Sequence, residues 1–209
     1  MSAPSPEKRD VIISKTLSYL LRHGAEKEKL EIDDEGYIKI PYLLNHQRLK
    51  SNKVTRDDLV RIVENNDKKR FTIDEEQDSI CANQGHSLKK VTNANLEPMA
   101  LEDLIALDIY HGTYKKKLSN IKESGGLNKM SRNHIHFTCK EYNTLSGIRS
   151  TANVLVYADV EQCVANGIQF FKSLNNVILT EGDSKGQIPW EFISKIVDIH
   201  GNELNKDNI

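Results

Sequence analysis

Ile109-Tyr110-His111-Gly112-Thr113, then Lys115–Ser124 closed by Gly125-Gly126, then Met130-Ser131-Arg132-Asn133-His134-Ile135-His136-Phe137: this stretch decides how the chain is read. It runs strand, helix-length segment, strand, and its second strand carries an arginine and alternating histidines. The connections are too short for repeated βαβ crossovers, so the segment belongs to a mostly antiparallel α+β lobe and not to a Rossmann sheet. No G-x-G-x-x-G occurs. A strand presenting His and a bare Gly, facing a basic strand, would line a pocket with donors suited to the sugars and phosphates of a dinucleotide.

Outward from this stretch, further strands are predicted at Val154–Val160, Ile168–Phe171 and Val177–Thr180, and a second helix at Trp190–Val197. Upstream, Ile13, Leu17, Leu20 and Leu21 repeat at three and four, the spacing of one helix face, and Gly24 supplies a stop. Gly36–Ile40 alternates like a strand, with Pro41 placed to open a helical turn through Leu43 and Leu44. Thr55 with Asp58 three residues later resembles a capping box, and Leu59, Ile62 and Val63 mark the buried face of the helix it starts. Two short strands, Arg70–Ile73 and Ser79–Ala82, form a hairpin across the acidic turn Asp74–Asp78. Helices followed by a hairpin is the order of a winged-helix unit. The polar stretch between Ser87 and Pro98 reads as a linker.

At 209 residues the chain has room for one domain or two small ones. Its 29 basic against 30 acidic residues provide no overall basic field, which weakens a general nucleic-acid-binding reading and favours a local, donor-rich grip on phosphate. Three cysteines, Cys81, Cys139 and Cys163, show neither a disulfide framework nor zinc-ligand spacing. The N-terminus lacks an apolar leader and no apolar run approaches the ~18 residues of a membrane helix, so an intracellular protein, nuclear or cytoplasmic, is expected.

Several residue sets could carry chemistry, and each has a structural reading beside the functional one. Arg22 and His23 close a helix, where cations offset the partial negative charge of its C-terminal carbonyls; they could equally grip a phosphate, Arg with its planar fork and His as a donor that titrates near neutrality. Arg70 ends the run Lys68-Lys69-Arg70, a solvated turn or a strand-borne guanidinium. His134 and His136 would share one strand face, as core residues or ligands; no third metal ligand of matching context stands nearby. Gln84-Gly85-His86-Ser87 looks like an exposed loop.

Taken in order, Leu21-Arg22-His23-Gly24, Arg70-Phe71, Ala82–Ser87, His111-Gly112-Thr113 and Ser131–Phe137 resemble the RNA 2′-phosphotransferase family, the Tpt1/KptA enzymes, from about Ser14 to about Asp198. The resemblance implies an N-terminal winged-helix-like RNA lobe, 1–98, and a C-terminal ADP-ribosyltransferase-like NAD lobe, 99–209, with catalysis in the cleft between them. It implies a catalytic quartet of Arg22, His23, Arg70 and Arg132. It assigns His111, Gly112, Thr113, His134, His136, Ser146 and Arg149 to NAD, the glycine clasping the nicotinamide carboxamide and His111 bonding a ribose hydroxyl. Gln84, Gly85, His86 and Ser87 fall on the RNA side; Ser173 and Asn175 are lesser candidates in an architectural segment. Gly24-Ala25 departs from the family's small residue and proline after the Arg-His pair, and Cys81 stands where many relatives carry arginine. No late glutamate is a clear general base, although Glu181 and Glu191 lie in the right half.

The reaction so implied has two steps. The 2′-phosphate of spliced tRNA attacks the nicotinamide-bearing ribose carbon and expels nicotinamide; the adjacent 2″-hydroxyl then attacks the phosphorus, releasing RNA 2′-OH and ADP-ribose 1″,2″-cyclic phosphate. NAD is the co-substrate, 2′-phosphorylated tRNA the partner, no metal or membrane is needed, and the protein is expected to be a monomer. Two other readings stay open: an ADP-ribosyltransferase acting on nucleic-acid phosphate ends or protein, and a non-enzymatic RNA-binding winged-helix adaptor.

Overall fold

In a computed structural model, residues 5–92, 94–142 and 148–209 are described. The first helix, α1 (Pro6–Tyr19), starts where Ser5 caps Lys8 N–H and Pro6 sets the opening φ, and it buries Ile13 and Leu17. Its last turn, Leu20–Gly24, is π-helical and buries Leu20, Leu21 and Gly24. Gly24 is required there, because a Cβ would sit 2.5 Å from the Tyr19 ring.

Next come β1 (Tyr37–Lys39), α2 (Ile40–Asn45), the single turn α3 (Gln47–Lys50) and α4 (Arg56–Glu64). The capping box is present in full: Thr55 Oγ1 accepts from Asp58 N–H, and the Asp58 carboxylate accepts from Thr55 N–H. That carboxylate also takes a two-point bond from Arg9 at 2.8 and 2.9 Å and one from Arg61 at 2.8 Å, which together hold it well below the usual carboxylate range. The hairpin β2 (Phe71–Asp74) and β3 (Ser79–Ala82) is antiparallel, and β1 joins its far side in the order β1-β3-β2. Leu17, Leu21, Ile38, Leu59, Phe71 and Ile80 share the core of this unit, which ends at Asn95.

The second unit starts at Leu96. It contains β4 (Glu97–Pro98), α5 (Leu101–Leu107), β5 (Tyr110–Thr113), a 3₁₀ turn Lys115–Lys117 leading into α6 (Leu118–Glu123), β6 (Gly126–Asn128), β7 (Ile135–Phe137), β8 (Val154–Ala158), α7 (Val160–Ala165), β9 (Phe171–Lys172), β10 (Ile178–Thr180), β11 (Gln187–Pro189) and β12 (Ile193–Asp198). All pairings are antiparallel, in sheets ordered β4-β9-β10-β7 and β12-β8-β5 plus the ribbon β11-β6. A bridge from Tyr110 to Thr138 ties β5 to β7. Phe137, Val156, Phe170, Ile178 and Ile196 are buried at the centre of this unit.

Three expectations need correction. Trp190–Val197 is not a helix: a 3₁₀ turn, Trp190–Phe192, leads into strand β12. A register shift between Ile193 and Lys195 brings Ile193 and Ile196 to the same buried face, so a bulged strand imitates helical spacing. The strand predicted to reach Val160 stops at Ala158, because Asp159 accepts from Gln162 N–H at 3.0 Å and caps α7. Of Ile168–Phe171, only Phe171 enters a strand; Ile168 and Phe170 are buried in the segment before it. No helix among the described residues is long and apolar enough to cross a membrane.

Candidate active site

In the first unit, Arg22 and His23 ride on the π-helical turn, where the extra residue per turn departs from ordinary helical spacing. Both are tied to the segment after β3. Ser87 N–H donates to Arg22 O at 2.9 Å, and Ser87 Oγ lies 2.8 Å from His23 Nδ1. Gly85, at φ +91°, lies so close to Arg22 that a Cβ would be 3.4 Å from its Nε and 3.5 Å from its Cζ.

Arg70 joins the same segment from the opposite end. Asn83 N–H donates to Arg70 O at 2.8 Å, Asn83 Nδ2 donates to Lys69 O at 2.7 Å, and Thr72 Oγ1 donates to Asn83 Oδ1 at 2.6 Å. The Arg70 guanidinium donates to Asn66 Oδ1 at 3.1 Å, and burial pulls its pKa below the ordinary arginine value with no carboxylate offsetting it among the described residues. A half-buried guanidinium in this state favours an anion.

The expectation of an exposed loop at Gln84–Ser87 is overturned. Gln84 and His86 keep 6% and 3% of their surface, Gly85 is buried, and only Ser87 is half open. The polar letters suggested solvent, but Asn83 and the Ser87 backbone anchor the strip inward, and the His86 ring packs against Gly36, whose Cβ would lie 3.0 Å from Nε2. Cys81 is buried in β3, hydrogen-bonded to Tyr37, its thiol pushed up to about 11 mainly by burial. A cavity of about 560 Å³ beside β1, lined by Glu31, Asp33, Glu35, Asp74, Lys39 and Lys90 among others, contains none of the predicted residues.

In the second unit, His111, Gly112 and Thr113 lie within β5, paired with Val156, Leu155 and Val154 of β8. His111 Nδ1 is 2.8 Å from the carbonyl of His136, and because a carbonyl can only accept, Nδ1 carries the proton. Burial lowers the His111 pKa, and the charges of Arg132 and Arg149 add to this against the bond to His136. The ring is therefore neutral, and its Nε2 offers a lone pair to a hydroxyl. Gly112 has a second reason to be glycine: a Cβ would stand 2.1 Å from Ile148 Cγ1.

Arg132 occupies the turn before β7, where its N–H donates to Lys129 O and Met130 takes φ 58°. It is exposed, yet its pKa is lowered by the protein around it and then by Arg149. Arg149 also bonds the Tyr114 hydroxyl, which meets Thr151 Oγ1 at 2.7 Å; these two contacts, Thr151 first, lower the tyrosine pKa. Two arginines and a neutral histidine thus converge. His136 lies in β7 and is buried, and His134, directly before the strand, is half-buried. The His134 pKa is lowered by burial, against Glu181. Ser173 Oγ donates to Asn175 Oδ1 at 2.7 Å, an internal turn contact. Ser146 lies outside the described residues. Among the described residues no group of three or more His, Cys, Asp or Glu is placed to hold a metal.

Asn66, Tyr114 and Thr151 were not picked out from sequence; none lies in a quoted motif, and only the folded chain brings them to the arginines. Asn83 stood inside one, unremarked.

Residues 8–182 match the family model described as RNA 2′-phosphotransferase, Tpt1/KptA family. The chain is 41% identical to a tRNA 2′-phosphotransferase of Saccharomyces cerevisiae, over 97% of this chain and 90% of that protein. It is 40% identical to tRNA 2′-phosphotransferase 1 of Danio rerio, over 86% and 82% respectively. Similarity extends to bacteria, with 35% identity to a probable RNA 2′-phosphotransferase of Pseudomonas syringae over 89% of this chain and 94% of that one.

Proposed function

We propose, from the premise that this chain belongs to the RNA 2′-phosphotransferase, Tpt1/KptA family, that it removes the splice-junction 2′-phosphate from ligated tRNA by transferring it to NAD. The products are RNA 2′-OH, ADP-ribose 1″,2″-cyclic phosphate and nicotinamide. One observation carries the reading most: Arg22, His23 and Arg70, far apart in sequence, are bound to one short strip, residues 83–87. In this reading the first unit is the winged-helix-like RNA lobe, with Gln84 to Ser87 on its RNA side, and the second is the ADP-ribosyltransferase-like NAD lobe. The protein acts inside the cell, as a monomer.

NAD supplies the acceptor ribose and the nicotinamide leaving group. The chain's own work is electrostatic and positional. Arg22, Arg70 and Arg132 hold the phosphate through forked donors, and each such preorganised donor typically contributes ~2.7–4 kcal/mol to transition-state stabilisation. His111, held neutral by burial and by the charges of Arg132 and Arg149 and fixed in its tautomer by the His136 carbonyl, accepts from a ribose hydroxyl, while Arg149 faces the pyrophosphate. The attacking phosphate is already an anion, so the first step needs no general base. In the second step His23 handles the proton that leaves the 2″-hydroxyl. The arginines supply the positive charge at the phosphate, so no metal is required.

The test is incubation with a 2′-phosphorylated oligonucleotide and NAD, followed by product identification. ADP-ribose 1″,2″-cyclic phosphate with RNA 2′-OH is expected. RNA ending as a stable ADP-ribosylated adduct would mean a transferase that stops after one step. RNA affinity with no nicotinamide release would mean an adaptor.

A further inference from the structure

We propose that Ser87 is a positioning residue for His23, its hydroxyl holding Nδ1 and so fixing the orientation of the imidazole. The inference rests on the reading above, in which His23 moves a proton during the second step.

His111 of the second unit and His23 of the first have different kinds of partner. His111 Nδ1 faces a carbonyl, which can only accept, so that ring is fixed in one tautomer. His23 Nδ1 faces a hydroxyl at 2.8 Å, and a hydroxyl can donate to a bare nitrogen or accept from N–H by rotating its own O–H bond. Held at Nδ1 by the hydroxyl, the His23 ring takes and returns its proton at Nε2.

Ser87 is itself held in place. Its N–H bonds the carbonyl of Arg22, the residue before His23, and the strip behind it is pinned at Asn83. Backbone and side chain of one serine thus grip consecutive residues of the π-helical turn.

In the second step the 2″-oxygen bonds to phosphorus, the bond from phosphorus to the RNA 2′-oxygen breaks, and that oxygen leaves with the electron pair. One proton passes from the 2″-hydroxyl to the departing 2′-oxygen. His23 takes it from the first and returns it to the second, ending as it began. Losing Ser87 Oγ leaves this chemistry possible but lets the ring turn.

Four variants test this: Ser87→Ala, Ser87→Thr, His23→Ala, and His23→Ala combined with Ser87→Ala. Ser87→Ala should slow the second step about ten- to hundredfold, the usual cost of removing a group that orients a functional ligand. ADP-ribosylated RNA should then accumulate while the KM for NAD stays unchanged. Ser87→Thr, which keeps the hydroxyl, should recover most of the rate, and the double variant should be no slower than His23→Ala alone. ¹⁵N shifts of the His23 ring, measured without substrate, should move in Ser87→Ala and return in Ser87→Thr. Unmoved ring shifts, or a loss that multiplies with that of His23→Ala, would overturn the proposal. A wild-type protein inert toward 2′-phosphorylated RNA and NAD would sink the functional reading instead, while the ring shifts would still decide whether Ser87 positions His23.

Discussion

His111 donates through Nδ1 to the main-chain carbonyl of His136 at 2.8 Å, and in doing so fixes which face of its ring is an acceptor. A strand of one sheet thereby sets the tautomer of a residue on another, across the bridge from Tyr110 to Thr138. Arg132 and Arg149 strengthen the effect, since each disfavours a second proton on the ring.

The first prediction concerns pH. The folded pKa of His111 lies below its ordinary value of 6.5, so the neutral form persists through neutrality and is lost only as pH falls through the depressed value. The KM for NAD should be flat from alkaline pH to below 6.5 and rise in more acid solution. A rise already centred at the ordinary histidine value would contradict the lowered pKa of His111.

His111→Ala should weaken NAD engagement and leave RNA affinity almost intact, because His111 belongs to the second unit. Titration with RNA in the absence of NAD should shift by less than about 0.5 kcal/mol, the usual scale for a substitution remote from the contact. A large loss in a variant with an unchanged circular dichroism spectrum would place His111 at the RNA surface.

Lysine at positions 22, 70 or 132 keeps the charge but loses the fork, and the exchange is not conservative at a two-point phosphate site. Each variant should lose activity on the order of a single oxyanion donor, ~2.7–4 kcal/mol in the barrier. Near-normal turnover in all three would reduce these arginines to generic positive charge. In the same assay, excess EDTA should leave the wild-type rate unchanged, since no step is assigned to a metal.

Gly112→Ala places a Cβ 2.1 Å from Ile148 Cγ1, so the variant should lose about 1–3 kcal/mol of stability, as overpacked sites do. Ile148→Ala in the same chain should restore part of it. Thermal melts of the single and double variants give the answer, and a double variant no more stable than Gly112→Ala would remove Ile148 from the explanation.

Local signals carried much of the fold. The Thr55–Asp58 box, the Ser79–Ala82 strand and the apolar stripe of α1 are written in side-chain pattern and are found at those residues. What pattern could not show was the consequence of contacts distant in sequence. The strip from Gln84 to His86 is polar, but anchors in Asn83 and Ser87 bury it; β12 imitates a helix because a bulge shifts its register. Arg22 and His23 were legible as a pair at a helix end, whereas Asn66 beneath Arg70 and Tyr114 beside Arg149 become visible only once the chain is folded.

The π-helical turn at Leu20–Gly24 makes the chain sensitive to length as well as to identity at this point. A π turn closes through i→i+5 bonds and an ordinary turn through i→i+4, so removing one residue from Leu20–Gly24 would rewind it as ordinary helix and redirect the side chains within it. The apolar stripe of α1 would pack as before, and a circular dichroism spectrum would barely register the change. The guanidinium of Arg22 and the imidazole of His23 would face elsewhere. A frame-preserving deletion here should therefore yield a well-folded, inert protein, a class of variant that substitution scanning alone does not sample.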